Sequence, residues 1–179
     1  DEKPRRKITL DGYWIYKHPV TVGQYEAFCK ATGREPKWPW GQGKKAEPQG
    51  KDEQYAAQAT WYDARDYARW ARAGLPTEAQ WEKAARGADG RVYPWGNEWN
   101  PDLCVSMENT VFKFNEGFRP VGSKPKGASP YGVLDMAGNT WEWTNDWYDY
   151  DYYKSAPAKN PTGPETGSFK VLRGGCSLY

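Results

Sequence analysis

The stretch from Tyr131 to Trp143 constrains the chain most, because it packs a turn, two carboxylates and two tryptophans together. Trp141-Glu142-Trp143 alternates with the period of a strand. Both indoles are then expected to face a core, with Glu142 on the opposite face. Gly138-Asn139 just upstream is a turn signal. The chain therefore bends between Asp135 and Glu142, which can bring the two carboxylates together.

That segment needs a core, and aliphatic residues supply little of it. The apolar fraction is 38% and the mean hydropathy is -1.00. Eleven Trp and 13 Tyr compensate, since each buried aromatic removes about 150–250 Å² from water. Nineteen Gly and 14 Pro imply ordered loops rather than a bundle. At 179 residues, one domain spanning 1–179 is expected. The start at Asp1 and stop at Tyr179 are compatible with a piece truncated at both ends. A formal charge of +2, with both signs spread along the chain, argues against a nucleic-acid partner. No apolar run approaches the ~20 residues of a membrane span, and no signal peptide is visible, which leaves the compartment open. Cys29, Cys104 and Cys176 are odd in number and far apart, so three buried or unbridged thiols are expected. His18 is the only histidine. One histidine cannot build a two-His zinc site or a three-His iron site. Its place before Pro19 suits a surface or packing role rather than catalysis.

In chain order, Asp11-Gly12 predicts a β-hairpin over Lys7 to Tyr16. Thr21-Val22-Gly23-Gln24 is a capping box, opening a helix with Val22, Tyr25, Phe28 and Cys29 inward and a stop at Gly33. Glu35 to Gln58 reads as a long surface loop, in which Trp38 and Trp40 are either ligand contacts or a hydrophobic clasp. Thr60 caps a second helix ending at Gly74, with Trp61, Ala64, Tyr67 or Ala68, and Ala71 inward. Thr77 opens a third, with Trp81, Ala84 and Ala85 inward and a stop at Gly87. From Tyr93 on, no helical period survives, and short strands are expected at Arg119–Val121, Thr140–Trp143 and Phe169–Leu172. The acid–aromatic run from Asp146 to Tyr153 is a tyrosine-rich contact surface or a metal-adjacent loop. The whole is one α+β unit with helices in the N-terminal half and short strands and long loops in the C-terminal half.

Several stretches match one family in order. They are Asp63-Ala64 with Trp70, Gly74 to Gly87, Tyr93 to Asn97, Pro120 to Ser123, Tyr131 to Trp143, Asp146-Trp147-Tyr148, and Val171 to Gly175. Together they resemble the formylglycine-generating enzyme, or sulfatase-modifying factor, family across nearly the whole chain. The resemblance implies a C-type-lectin-like fold with little regular secondary structure. The family's oxidases hold copper on two cysteines, four residues apart, shortly after the Arg-Gly-Gly segment. Copper(I) favours such soft thiolates. Here Arg173-Gly174-Gly175 leads to Cys176, Ser177, Leu178 and Tyr179, and Cys176 aligns with neither cysteine. The ergothioneine-type branch needs a histidine set that His18 cannot supply.

Variable proteins of diversity-generating retroelements use the same scaffold, with randomised ligand-binding residues starting around Arg-Gly-Gly. That branch implies a non-catalytic binder of a protein or other macromolecular ligand. Its contacts would be Cys176, Ser177, Leu178 and Tyr179, joined by Trp38, Trp40, Tyr150 and Tyr152. The alternative is a copper-dependent oxidase whose cysteines lie beyond Tyr179, and a third reading is a partner or regulatory domain of a larger protein such as a signalling kinase. The resemblance also implies structural calcium. Asp135 and Glu142 would give carboxylates, with backbone oxygens at Gly138 and Thr140. A second calcium site would fall at Asn109, Thr110, Glu116 and Phe118.

Overall fold

The computed structural model describes residues 6–36, 54–109 and 119–176. Its first helix, α1 (Val22–Thr32), begins at a complete capping box. The Gln24 amide donates to the Thr21 hydroxyl, and the Gln24 side chain accepts from the Thr21 amide. Two of the helix's orphan donors are thereby satisfied. Gly33, at φ 67°, ends it. Val22, Tyr25, Phe28 and Cys29 are the buried face, as the spacing predicts.

α2 (Trp61–Trp70) starts at Thr60 but stops earlier than its Gly74 suggests. Arg72 takes the left-handed position, at φ 57°. The Arg72 amide donates to Arg69 and the Ala73 amide to Ala68, which closes the last turn as a Schellman motif without glycine. Tyr67 and Ala68 are its buried residues, while Trp61, Ala64 and Ala71 are only half-buried. The Phe28 ring of α1 meets Tyr67 edge-on at 5.7 Å and Trp70 at 5.6 Å, and Cys29 lies in the same cluster. Edge-to-face pairs of this kind add to the area they bury.

α3 (Glu78–Arg86) carries the second core. Trp81, Ala84 and Ala85 pack on Val133 and Met136, with Ile15 against them. Its capping box uses Thr77 and Gln80. The Thr77→Ala variant is expected to lose ~1 kcal/mol, within a range of about 0.5–2 kcal/mol, as read from the urea midpoint. Thr77→Ser should restore most of it, because the hydroxyl acceptor returns. An unchanged midpoint in Thr77→Ala would mean the cap contributes nothing.

Two strands make a ribbon beside α3. β1 (Glu142–Trp147) pairs antiparallel with β2 (Lys170–Arg173), in register Glu142 with Arg173 and Trp143 with Leu172, and an irregularity precedes Trp147 with Lys170. The faces are the reverse of the expectation. Thr144 is 0% and Asp146 2% exposed, whereas Trp141 is 44% exposed and Trp143 half-buried. The even positions Glu142, Thr144 and Asp146 thus point inward. Buried polar groups stay there because partners meet them. The Thr144 hydroxyl donates to Val171, Asp146 accepts from the Glu78 amide, and Glu142 accepts from the Trp81 indole. The Trp143 indole N–H is turned to the carbonyl of Ala59 instead.

Other expected strands reduce to single bridges. Lys7 to Tyr16 forms no hairpin. Thr9 pairs with Lys159, and Asp11 exchanges hydrogen bonds with Asn160. The turn chemistry of Asp11 therefore closes a contact across 149 residues rather than a local reversal. Pro120 bridges Tyr55 and Gly138 bridges Val105. Past Tyr93 the described residues also form an α-helical turn, α4 (Tyr152–Ser155), and short 3-10 turns, none of which the period announced.

Candidate functional site

The central loop holds its two carboxylates in buried surroundings. Asp135 sits at φ 59° and is 7% exposed. One of its oxygens accepts from the Gly122 amide at 2.6 Å. Burial raises its proton affinity, opposed by that hydrogen bond and by His18. Glu142 accepts the Trp81 indole N–H at 2.8 Å on Oε2, while Oε1 is buried with no hydrogen-bond partner. Burial pushes this carboxyl up to about 8, and the nearby Asp135 charge adds to the push. Two desolvated carboxylates close together, one with an orphan oxygen, form an arrangement that a divalent cation would relieve. The residues therefore fit calcium. Gly138 brings the loop backbone close in, since a Cβ there would lie 2.2 Å from the Val105 carbonyl oxygen. Thr140 is buried beside it. Among the described residues no three His, Cys, Asp or Glu side chains converge as a metal-binding group. A calcium ion there would depend on Asp135 and Glu142 for its charge, with backbone oxygens of Gly138 and Thr140 as the remaining expected ligands. Of the second set, Thr110, Glu116 and Phe118 lie outside the described residues, and Asn109 is placed only as the end of a short 3-10 turn.

A second arrangement lies between β1, α4 and β2, around a cavity of about 150 Å³. Its floor is charged. Asp146 accepts the Glu78 amide at the start of α3, and burial pushes its carboxyl up to about 6. The Tyr153 hydroxyl donates to Glu78 at 3.0 Å, and Arg173 meets the other Glu78 oxygen at 3.4 Å. Lys170 donates to the Asn145 carbonyl at 2.7 Å, between the Trp147 and Trp61 rings at 3.8 and 4.1 Å. Around the mouth, Tyr148, Phe169 and Leu172 are exposed.

The sequence candidates scatter relative to these two centres. Tyr152 lines the cavity and Tyr150 is 64% exposed. Cys176 is 7% exposed and lies inside the protein, so its side chain is no surface contact there. Trp38, Trp40, Ser177, Leu178 and Tyr179 lie outside the described residues. No disulfide forms among the described residues, and all three cysteines are buried. Burial also raises the thiols of Cys29 and Cys104, which keeps them protonated. His18 is half-buried and bonded to the Pro19 carbonyl. Among the cavity residues, Glu78 and Arg173 fall within the matched stretches Gly74 to Gly87 and Val171 to Gly175 but, like Lys170, were not expected as site residues. The signal available for them was Asp146, at the head of the acid–aromatic run.

Comparison with known proteins covers the whole chain. The sequence model of the sulfatase-modifying factor enzyme 1-like domain matches residues 1–179. The formylglycine-generating enzyme of Streptomyces coelicolor is 39% identical, over 99% of this chain and 71% of that enzyme. The serine/threonine-protein kinase Pkn1 of Chlamydia trachomatis serovar L2 is 36% identical over 98% of this chain. The chain spans 30% of that kinase's length. Among solved structures, Treponema denticola variable protein 1 superposes with a TM-score of 0.73 at 23% identity, covering 96% of this chain and 76% of that one. The fold is the loop-rich α+β, C-type-lectin-like fold of these structures.

Proposed function

Since the chain belongs to the sulfatase-modifying factor enzyme 1-like family, we propose that it works as a non-catalytic binding domain for a protein or other macromolecular ligand. The observation that carries this reading is the surface around the β1–β2 ribbon. Trp141, Tyr148, Tyr150, Phe169 and Leu172 are all exposed there, over a floor of buried, hydrogen-bonded polar groups. Rigid aromatics offer contact area at low entropic cost, and clustered exposed apolar groups mark interaction surfaces. The fold shared with a variable protein supports the reading, and so does the match to one part of a much longer kinase. As in the variable proteins, Ser177, Leu178 and Tyr179 would add ligand contacts, with Cys176 packed inside. Calcium at Asp135, Gly138, Thr140 and Glu142 would stiffen the loops beneath that surface.

A second reading is favoured by the likeness to the Streptomyces enzyme. It is a copper-dependent oxidase converting a sulfatase cysteine to formylglycine, with its cysteines beyond Tyr179. One assay separates the two. The natural full-length protein, loaded with copper, is given a Cys-x-Pro-x-Arg peptide and oxygen. The binding reading expects no aldehyde by mass spectrometry, and turnover would replace it with the oxidase. On the binding side, Phe169→Asp is expected to abolish capture of a purified partner while leaving the melting temperature unchanged. Undiminished capture would remove the ribbon surface from the reading.

A further inference from the structure

The cavity beside the ribbon has a chemical preference of its own. Its floor is Asp146, Glu78 and Tyr153, and its mouth is Tyr148, Phe169 and Leu172. A carboxylate floor beneath an aromatic mouth suits a group with an apolar stem and a cationic head. Two cations also line the cavity, but both are engaged. The Lys170 ammonium is held by the Asn145 carbonyl and two indole faces. The Arg173 guanidinium lies 3.4 Å from Glu78 and 3.8 Å from Glu82, over the Trp81 ring. Against them stand Glu78, Asp146 and Asp149. Three carboxylates against two engaged cations leave the lining with an excess of negative charge. Gly163 keeps the wall open, because a Cβ there would meet that of Asp146 at 2.7 Å.

We propose that this cavity takes the cationic end of a lysine or arginine side chain presented by a protein partner. The inference rests on the binding-domain reading and names what one part of that surface recognises.

The test titrates the full chain with N-acetyl-lysine methylamide and N-acetyl-arginine methylamide, following the backbone NMR signals of Gly163 and Lys170. N-acetyl-norleucine methylamide, N-acetyl-glutamate methylamide and spermidine are run alongside. Saturable shifts from the two cationic amides, with a Kd on the order of 1 mM, are the expected result, with none from the norleucine or glutamate probe. Asp146→Asn keeps an acceptor for the Glu78 amide but removes the charge, and should weaken binding roughly tenfold or more. Tyr148→Ala, at the exposed mouth, should weaken it several-fold and carries the test if Asp146→Asn fails to fold. The proposal is overturned by cationic amides that give no saturable shift, by equal shifts from norleucine or glutamate, or by binding that neither variant changes. Binding of spermidine alone would also overturn it, by assigning the cavity to a free polyamine. These results leave the binding-domain reading intact as long as the aldehyde assay is negative. Aldehyde formation would end that reading whatever the NMR signals do.

Discussion

Replacing Trp81 by alanine is expected to cost about 3–5 kcal/mol. Trp81 is 4% exposed and joins Ala84, Ala85, Val133 and Met136 in one cluster. The small alanines let the backbone approach the indole, so little is at hand to refill the space. Its ring also faces the Arg173 guanidinium at 5.3 Å, and a Cβ at Gly174 would lie 3.3 Å from it. Its N–H is the hydrogen bond that Glu142 keeps in the interior. The alanine variant therefore opens a cavity and strips a buried carboxylate at once. Trp81→Phe separates the two effects, since it keeps most of the ring and removes the donor. That variant is expected to lose about 1–3 kcal/mol. Urea unfolding of the three proteins gives both numbers. A loss below 1 kcal/mol for Trp81→Ala would show that α3 is not anchored through this ring.

The first three helices were legible because their signals are local. Thr21, Thr60 and Thr77 each lie three residues before the group that completes the cap, and the buried faces of α1 and α3 follow from spacing alone. The ribbon was legible as a strand but not as to which side faces in. Trp-Glu-Trp fixes a period of two, and residue averages place tryptophan inside. Two facts outside the segment decide otherwise. The Trp81 indole waits for Glu142, and the first amide of α3 waits for Asp146. Average burial also hides that Trp143 and Trp61 use their N–H groups to cap the carbonyls of Ala59 and Thr144. The cavity was still less visible. Glu78 and Arg173, its charged floor pair, are 95 residues apart, and neither belongs to a motif that names the other. Asp11 misled for the same reason, since its turn chemistry serves Asn160. Asp135 and Glu142 could be paired from the sequence because one short loop joins them, and their charges do interact in the fold.

Two buried carboxylates, Glu142 and Asp146, set the second large effect, a stability that falls as pH rises when calcium is withheld. Glu142 has a folded-state proton affinity raised from 4.5 to about 8, and Asp146 from 3.8 to about 6. Between the unfolded and folded values, the folded state binds more protons than the unfolded one. Stability then declines with pH, at up to about 1.4 kcal/mol per pH unit for each such group. Asp146 has largely titrated by pH 7, so the fall from pH 6 to 8 belongs mainly to Glu142 and amounts to roughly 2–3 kcal/mol. Asp11, Asp66 and Asp89 shift the other way through exposed hydrogen-bonded pairs with Lys159, Arg65 and Arg91. Their gain is complete above the ordinary carboxylate range and leaves this window untouched. Calcium would take the place of the proton on Glu142. Urea midpoints at pH 6, 7 and 8 in chelator should therefore decline, and saturating calcium should flatten or reverse the decline. Glu142→Gln should remove most of the slope and the calcium response, since it is neutral throughout and gives up one ligand charge, leaving only the smaller decline from Asp146 near pH 6. A chelated protein as stable at pH 8 as at pH 6 would refute the buried charge at Glu142. A slope that calcium leaves untouched would keep the buried carboxylate and remove the metal. The two halves of the claim can thus fail separately, and a stability maximum that moves to higher pH only when calcium is present is the outcome that supports both.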